Sequence, residues 1–251
     1  MNGFVLYRGP SMIDGQPIVV VVTGLMTGDN NRKTGAMIQT YILRDGINPL
    51  KAAQTGADVS ICGNCPHRGQ IVTSDTGVSR NVGRSCYVTL FQGPRVVYEA
   101  LQNGRYVDVK PSIARKLLAN RTVRLGSYGD PGAVPVEVWK TALAKVSNLS
   151  GYTHQWRERP ALADFCMASC DSEAERVMAK ALGFRTFRVR GKSEPKLPGE
   201  GLCPASAEMG KAVQCAQCLL CGGARSKAKA DITIIAHGAG RNNYERSLVA
   251  A

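Results

Sequence analysis

Seven cysteines fall into two groups whose spacing suits a metal. The first lies near the C-terminal end, in "CPASAEMGKAVQCAQCLLCGG", and comprises Cys203, Cys215, Cys218 and Cys221. Steps of two residues let successive thiolates wrap one ion or cluster. Four thiolates satisfy a tetrahedral Zn2+, and the same run with a remote Cys-Pro also matches an iron–sulfur ligand set. His237 is a further donor in the same region. Structural zinc is the first reading and a redox cluster the second. The other group is Cys62, Cys65 and Cys86, with His67 beside them, in "CGNCPHRG" and "RSCYV". Three thiolates suit a [4Fe–4S] cluster with one open iron, or a zinc completed by His67. Cys86 as a buried core thiol is the competing reading. Cys166 and Cys170, in "CMASC", are read as core residues.

Two carboxylates stand where strands end. Asp130 in "GSYGDP" and Asp171 in "SCDSEAE" are candidates for nucleophile and general base. Each also has a structural reading. Asp171 before "SEAE" suits a helix N-cap, and Asp130 before Pro131 suits a turn. Tyr128, His154, Gln155, Trp156 and Arg190 make a candidate substrate-binding set. Aromatic rings there would stack on a base while Gln or His reads its edge; a structural role for His154 stays equally open. No P-loop and no G-x-G-x-x-G is present, so a glycine cradle for phosphate is not indicated.

These groups need elements to bring them together. "PIVVVVTGL" and "MIQTYILRDG" read as strands of an N-terminal β-hairpin joined by "MTGDNNRKTGA". "GADVSI" is a third candidate strand, running into "CGNCPHRG". A helix is expected over "GPRVVYEALQNG", where Gly104 suits the C-terminal cap. From residue 121 strands alternate with helices: "RTVRLGSYGDP", "VPVEVWKTALAKV", "SGYTHQW", "DFCMASC", "DSEAERVMAKALG", "FRTFRVR" and "DITIIAHG". In the second of these helices Ala174, Val177, Met178, Ala181 and Leu182 form one apolar stripe expected to face the core. The alternation predicts an α/β fold with parallel strands, an incomplete or irregular (β/α) barrel carrying the hairpin and a C-terminal cysteine metal knuckle. An open doubly wound sheet is the alternative. Residues 1–55 are expected as a β-rich segment packed on the main domain, 56–200 as a (β/α) catalytic core, and 201–251 as a cysteine-rich metal-binding segment with a final strand. Active sites of such folds gather at the C-terminal strand ends, where the thiols and acids would share one rim.

The bulk properties narrow the setting. Among 251 residues, 32 basic side chains against 19 acidic ones give a net charge of +13. A polyanion is the natural partner for that excess, nucleic acid being the commonest; a basic surface with no specific partner is the other reading. "PIVVVVTGLM" is too short to cross a bilayer, so no membrane partner is expected. "MNGFVLYRGP" has none of the parts of a signal peptide, and nine cysteines in a reducing compartment are more often ligands or catalytic groups than disulfides.

Several stretches together resemble an uncharacterised tailed-phage family related to the mycobacteriophage "gene product eighty-eight" domain. They are "VLYRGPSMIDGQPIVVVVTGL", "SICGNCPHRG", "RSCYV", "GSYGDP", "GYTHQW", "MASCDSEAE" and the terminal cysteine run. That resemblance implies the cytoplasm of the infected host. The strand-end acids and cysteine knuckle are more distantly similar to tRNA- and DNA-guanine transglycosylases. This similarity implies base exchange in DNA with insertion of a 7-deazaguanine, Asp130 and Asp171 as nucleophile and base, and a structural zinc. The order "CGNCPHRG", "CY", "GSYGDP" also resembles radical S-adenosylmethionine enzymes, which implies a [4Fe–4S] cluster and S-adenosylmethionine as cofactors, with the C-terminal cysteines on an auxiliary cluster. A non-catalytic zinc module that binds nucleic acid is the third expectation.

Overall fold

The computed structural model describes residues 2–26, 31–210 and 213–249. Part of the expected hairpin loop (27–30), two residues of the cysteine-rich segment (211–212) and residues 250–251 lie outside the described residues. The chain begins with strands β1 (Gly3–Pro10), β2 (Pro17–Thr23) and β3 (Ile38–Arg44), followed by helices α1 (Pro49–Thr55) and α2 (Val59–Cys62). A hairpin of β4 (Gln70–Thr73) and β5 (Ser79–Val82) precedes α3 (Gly93–Gln102) and α4 (Pro111–Leu117). Then come β6 (Thr122–Tyr128), α5 (Val136–Ala142), β7 (Asn148–Ser150), β8 (Tyr152–Thr153), β9 (Met167–Cys170), α6 (Glu173–Ala181) and β10 (Thr186–Arg190). The chain closes with β11 (Glu200–Leu202), α7 (Cys215–Cys218), β12 (Asp231–Ile235) and α8 (Arg241–Val249).

Two five-stranded sheets carry the site, in the orders β1-β2-β3-β6-β7 and β11-β12-β10-β9-β8. The first hairpin is antiparallel, as expected, and β1 adds a further antiparallel strand to it. The other pairings of these two sheets are parallel: β3 with β6, β6 with β7, β8 with β9, β9 with β10, and β12 with both β10 and β11. Because β3 pairs with β6, the N-terminal segment enters the same sheet as the core. Among the described residues the strands do not close into a barrel.

Only Gly151 separates β7 from β8. Its N–H leaves the ladder to donate to the Cys221 carbonyl (3.1 Å), while its carbonyl accepts from Met167 N (2.9 Å). A Cβ there would lie 2.9 Å from Cys166 Sγ and 3.2 Å from Leu125 Cβ, so only glycine lets the core close at this seam. Gly223 plays a matching part after the cysteine run. Its φ is +61°, and a Cβ would meet the Ala163 carbonyl at 2.6 Å.

The core explains the strand assignments. Val19 to Val22 are fully buried, so β2 is covered on both faces and reads as a continuous apolar run. Helix α5 buries Trp139 and Ala142, and Leu143 at its C-terminal cap is buried too. Two expectations are corrected. "GADVSI" is no strand: Gly56 caps α1 in the left-handed region (φ +78°), and Val59–Cys62 form one helical turn. Buried Asp58, ion-paired to Arg68 at 2.7 Å, anchors that turn. The α6 stripe is also reversed. Ala174, Val177, Met178, Ala181 and Leu182 all face solvent, and α6 buries only Ala179.

Candidate functional site

Residues of β3, β6, β7, β8, β9, β10 and β12, with the loops that follow them, surround one cavity of about 460 Å³. Both cysteine groups open onto it.

The first group is assembled by the β4–β5 hairpin. Cys62 ends α2 and Cys65 follows a tight turn. Cys86 returns across the hairpin because Ser85 N and Cys86 N both donate to the His67 carbonyl (3.2 and 3.0 Å). Asn81 fixes the hairpin by donating to the carbonyls of Ala53 and Arg68 (2.8 and 3.0 Å). The competing view of Cys86 as a core thiol is corrected, since it lines the cavity. Burial pushes the Cys62 and Cys86 thiols up, and the neighbouring Cys65 adds to both shifts.

Beside this group stands a chain of titratable side chains. His67 Nε2 lies 2.8 Å from Asp171 Oδ1, and its Nδ1 lies 2.8 Å from Ser85 Oγ. His154 Nε2 approaches Asp171 Oδ2 at 3.3 Å as an ion-pair contact too far off line to count as a hydrogen bond. His67 is therefore committed to Asp171 and Ser85, not to the three cysteines. Burial alone would raise the Asp171 carboxyl, but the contacts from His154 and His67 hold it far below the usual carboxylate range. Burial works against the His154 cation, yet Cys65 and Asp171 keep it well above an ordinary histidine.

Asp171 is free for this because it does not cap α6. Ser172 does: its Oγ accepts from Glu175 N (3.2 Å), while Glu175 Oε2 accepts from Asp171 N (2.7 Å). The expectation of Asp171 as N-cap is thereby corrected by one residue. Asp130 does take its structural role. Oδ1 accepts from Gly132 N (2.8 Å) and Thr153 Oγ1 (2.7 Å), and Oδ2 from His154 N (2.7 Å). Burial raises its pKa, against the pull of those bonds. Asp130 and Asp171 thus meet at the two ends of His154, one on its backbone and one on its ring.

The second group is held by three neighbours. Cys203 N donates to Thr233 O of β12 (2.9 Å), Cys215 N to Lys33 O (2.9 Å), and the Cys221 carbonyl accepts from Gly151 N (3.1 Å). Burial pushes Cys203 and Cys218 up, and Cys221 up to about 12. Each of these thiols acts electrostatically on others of the group.

Of the candidate substrate residues, Tyr128 and His154 reach the cavity. Tyr128 is buried and its hydroxyl finds no partner among the described residues, as do Ser150 Oγ and Arg84 Nη2, also on the cavity wall. Gln155, Trp156 and Arg190 do not line it. Gln155 Nε2 braces the thiol turn through the Cys62 carbonyl (3.3 Å) and Asn64 Oδ1 (3.2 Å). Trp156 is a core ring whose Nε1 donates to Ser169 O (3.0 Å). Arg190 is tied to Glu208 and to the Glu194 carbonyl. Sequence reasoning missed Lys33, Arg84, Tyr87, Arg124 and Tyr244 on the wall. Only Arg124, a charge inside the β-branched run "RTVRLG", carried a visible sign.

The donor sets differ in what they fit. Zinc–sulfur bonds of about 2.3 Å place tetrahedral thiolates roughly 3.8 Å apart. Among the described residues, only His67, His154 and Asp171 bring three ligand atoms within 4.8 Å of one another. The thiols of neither cysteine group are drawn together to that extent. Two histidines and a carboxylate are themselves a donor set for a divalent metal. Comparison with protein-family models, curated proteins and solved structures finds no match to this chain.

Proposed function

We propose that the protein is a radical S-adenosylmethionine-type enzyme with two iron–sulfur clusters facing one reaction cavity. Cys62, Cys65 and Cys86 would hold the catalytic [4Fe–4S] cluster, and Cys203, Cys215, Cys218 and Cys221 an auxiliary one. The observation that carries this is the single cavity onto which a three-cysteine and a four-cysteine group both open. A cluster on three thiolates keeps one iron for an outside ligand and supplies it with an electron. The strand order supports the reading as an irregular, open (β/α) barrel, because parallel strands deliver their C-terminal ends to the cavity.

The chain's own residues then have definable tasks. Arg84 Nη2, Tyr128 Oη and Ser150 Oγ are unspent polar groups on the wall, suited to the carboxylate and hydroxyls of a bound ligand. His154 and Asp171 place a proton donor and an acceptor beside Cys65. The net charge of +13 favours a nucleic acid or nucleotide as the substrate. Host cytoplasm, and kinship with the phage family that the motifs resemble, belong to the same proposal.

Base exchange at C1′ has less support. Asp130 is spent on three donors and Asp171 lies between two histidines. The deciding experiment is anaerobic purification and reconstitution, with iron and sulfide analysis and an absorption spectrum, followed by incubation with S-adenosylmethionine and dithionite. Iron, a broad bleachable band and release of 5′-deoxyadenosine with methionine are expected. A colourless protein holding zinc alone would sink the proposal. Incorporation of labelled guanine into DNA, lost in Asp171→Ala, would replace it with base exchange.

A further inference from the structure

The four-cysteine end of the cavity has cations beside it and, among the described residues, no carboxylate paired with them. Lys33 Nζ lies 2.8 Å from His237 Nε2. His237 Nδ1 lies 3.2 Å from the Ile235 carbonyl, which accepts only if Nδ1 carries the proton. Nε2 is then a lone pair, and Lys33 Nζ is the donor of that contact; burial lowers the Lys33 pKa, against the pull of the neighbouring thiols. Burial, and then the Lys33 charge, push His237 down to about 4, so the ring stays neutral. Arg124 is buried, donates to Tyr87 Oη (2.8 Å) and lies over the Tyr152 ring at 5.8 Å. Tyr87 in turn stacks on His237 at 5.6 Å. Among the described residues neither Lys33 nor Arg124 is in an ion pair.

Their electrostatic neighbours are thiols. Lys33 acts on Cys203, Cys215 and Cys221, and Arg124 on Cys215. The backbone fixes the arrangement, since the carbonyls of Lys33 and Thr34 accept from Cys215 N and Ala216 N (2.9 and 3.0 Å). A third cation, Arg185, is spent otherwise. Its guanidinium holds the carbonyls of Leu220, Gly223 and Ala230, and Asp231 acts on it.

We propose that Lys33 and Arg124 are the built-in counter-charges of the four-thiolate centre. Four thiolates around a dipositive core, whether a [4Fe–4S] cluster or Zn2+, leave a net charge of minus two in a buried site. Two cations cancel it, where an uncompensated buried charge would be strongly destabilising. For a cluster, the same cations also favour the reduced form, which carries one more electron and no added proton. The inference rests on the proposed cysteine centre, though on its thiolates more than on the identity of the metal.

The test uses the full chain, reconstituted anaerobically with iron and sulfide, in a Cys65→Ser background so that only the four-cysteine centre is read. Lys33→Met and Arg124→Gln are each expected to shift the oxidised-to-reduced ratio at fixed poise about tenfold toward oxidised, a fall of ~59 mV in midpoint potential. Lys33→Arg should restore the original value. Arg124 sits on a strand and Lys33 on a loop, so misfolding of one variant leaves the other readable. If wild-type protein takes up zinc and no iron, the iron–sulfur reading fails, and the counter-charges are read instead as zinc loss to a chelator, about tenfold faster in either variant. Unchanged potential in an iron-loaded centre, or unchanged zinc loss in a zinc-loaded one, overturns the inference.

Discussion

The two cysteine ends of the cavity are built from the same ligand type but surrounded differently. Around Cys62, Cys65 and Cys86 the neighbours are acid–base groups: His67 is hydrogen-bonded to Asp171, and His154 stands in ion-pair contact with the same carboxylate and interacts with Cys65. Around Cys203, Cys215, Cys218 and Cys221 the neighbours are the cations Lys33 and Arg124, which among the described residues pair with no acid, although burial lowers the Lys33 pKa. Acid–base groups suit an end where a ligand arrives and chemistry occurs. Cations without an acid beside them suit an end that, on the proposed reading, holds an anionic centre. Identical thiols therefore acquire different work from their second neighbours, as in metal sites generally.

The contrast breaks most sharply at the cysteines. Cys65→Ser is expected to abolish 5′-deoxyadenosine release and to remove roughly four irons per chain. Cys218→Ser should lose a comparable amount of iron yet leave release measurable. Elemental analysis with product chromatography checks both, and equal activity in the two variants would erase the distinction. Asp171→Asn is the next largest. It keeps the shape but weakens the hold on His67 and His154, so turnover should fall about 10²-fold with iron content unchanged.

Acid sharpens the comparison from the stability side. Burial would raise the Asp231 carboxyl, but Lys180, Thr186 N and Arg176 overcome it and hold the group below its ordinary value. A depressed folded-state pKa means that its stabilisation is fully present above the unfolded carboxylate range, near pH ~3.9, and is lost as pH falls through the folded value. Asp231→Asn should flatten that part of the acid-unfolding curve, followed by circular dichroism. An unchanged curve would show that Asp231 bears none of the acid sensitivity. The smallest effect belongs to α6: Val177→Ser and Leu182→Ser should each change stability by less than about 0.5 kcal/mol in denaturant titrations. A cost of several times that would mean the stripe is covered after all.

How much of this could be read in the residues depended on which force decided each element. Strands β2, β3 and β10 and helix α5 were legible because burial set their patterns. Helix α6 misled, since its apolar spacing was regular while β9 and β10 accept only Ala179 beneath it. Both cysteine groups were visible from residue type alone. Their neighbours were not, because Lys33 and Arg84 reach the cavity through loop paths that no period reveals. Asp171 was found for its chemistry and misplaced by one residue in its structural role, because Ser172 is an equally good cap.

The β4–β5 hairpin has a consequence for how ligand motifs are recognised at all. Its base is clamped where Ser85 and Cys86 bond to His67, so the excursion between them is geometrically neutral. Cys86 is thereby returned to the cavity that Cys65 lines, although a whole hairpin lies between them in the chain. A pattern search keyed to compact intervals would pass over such a chain, even though folding brings the thiols to one wall.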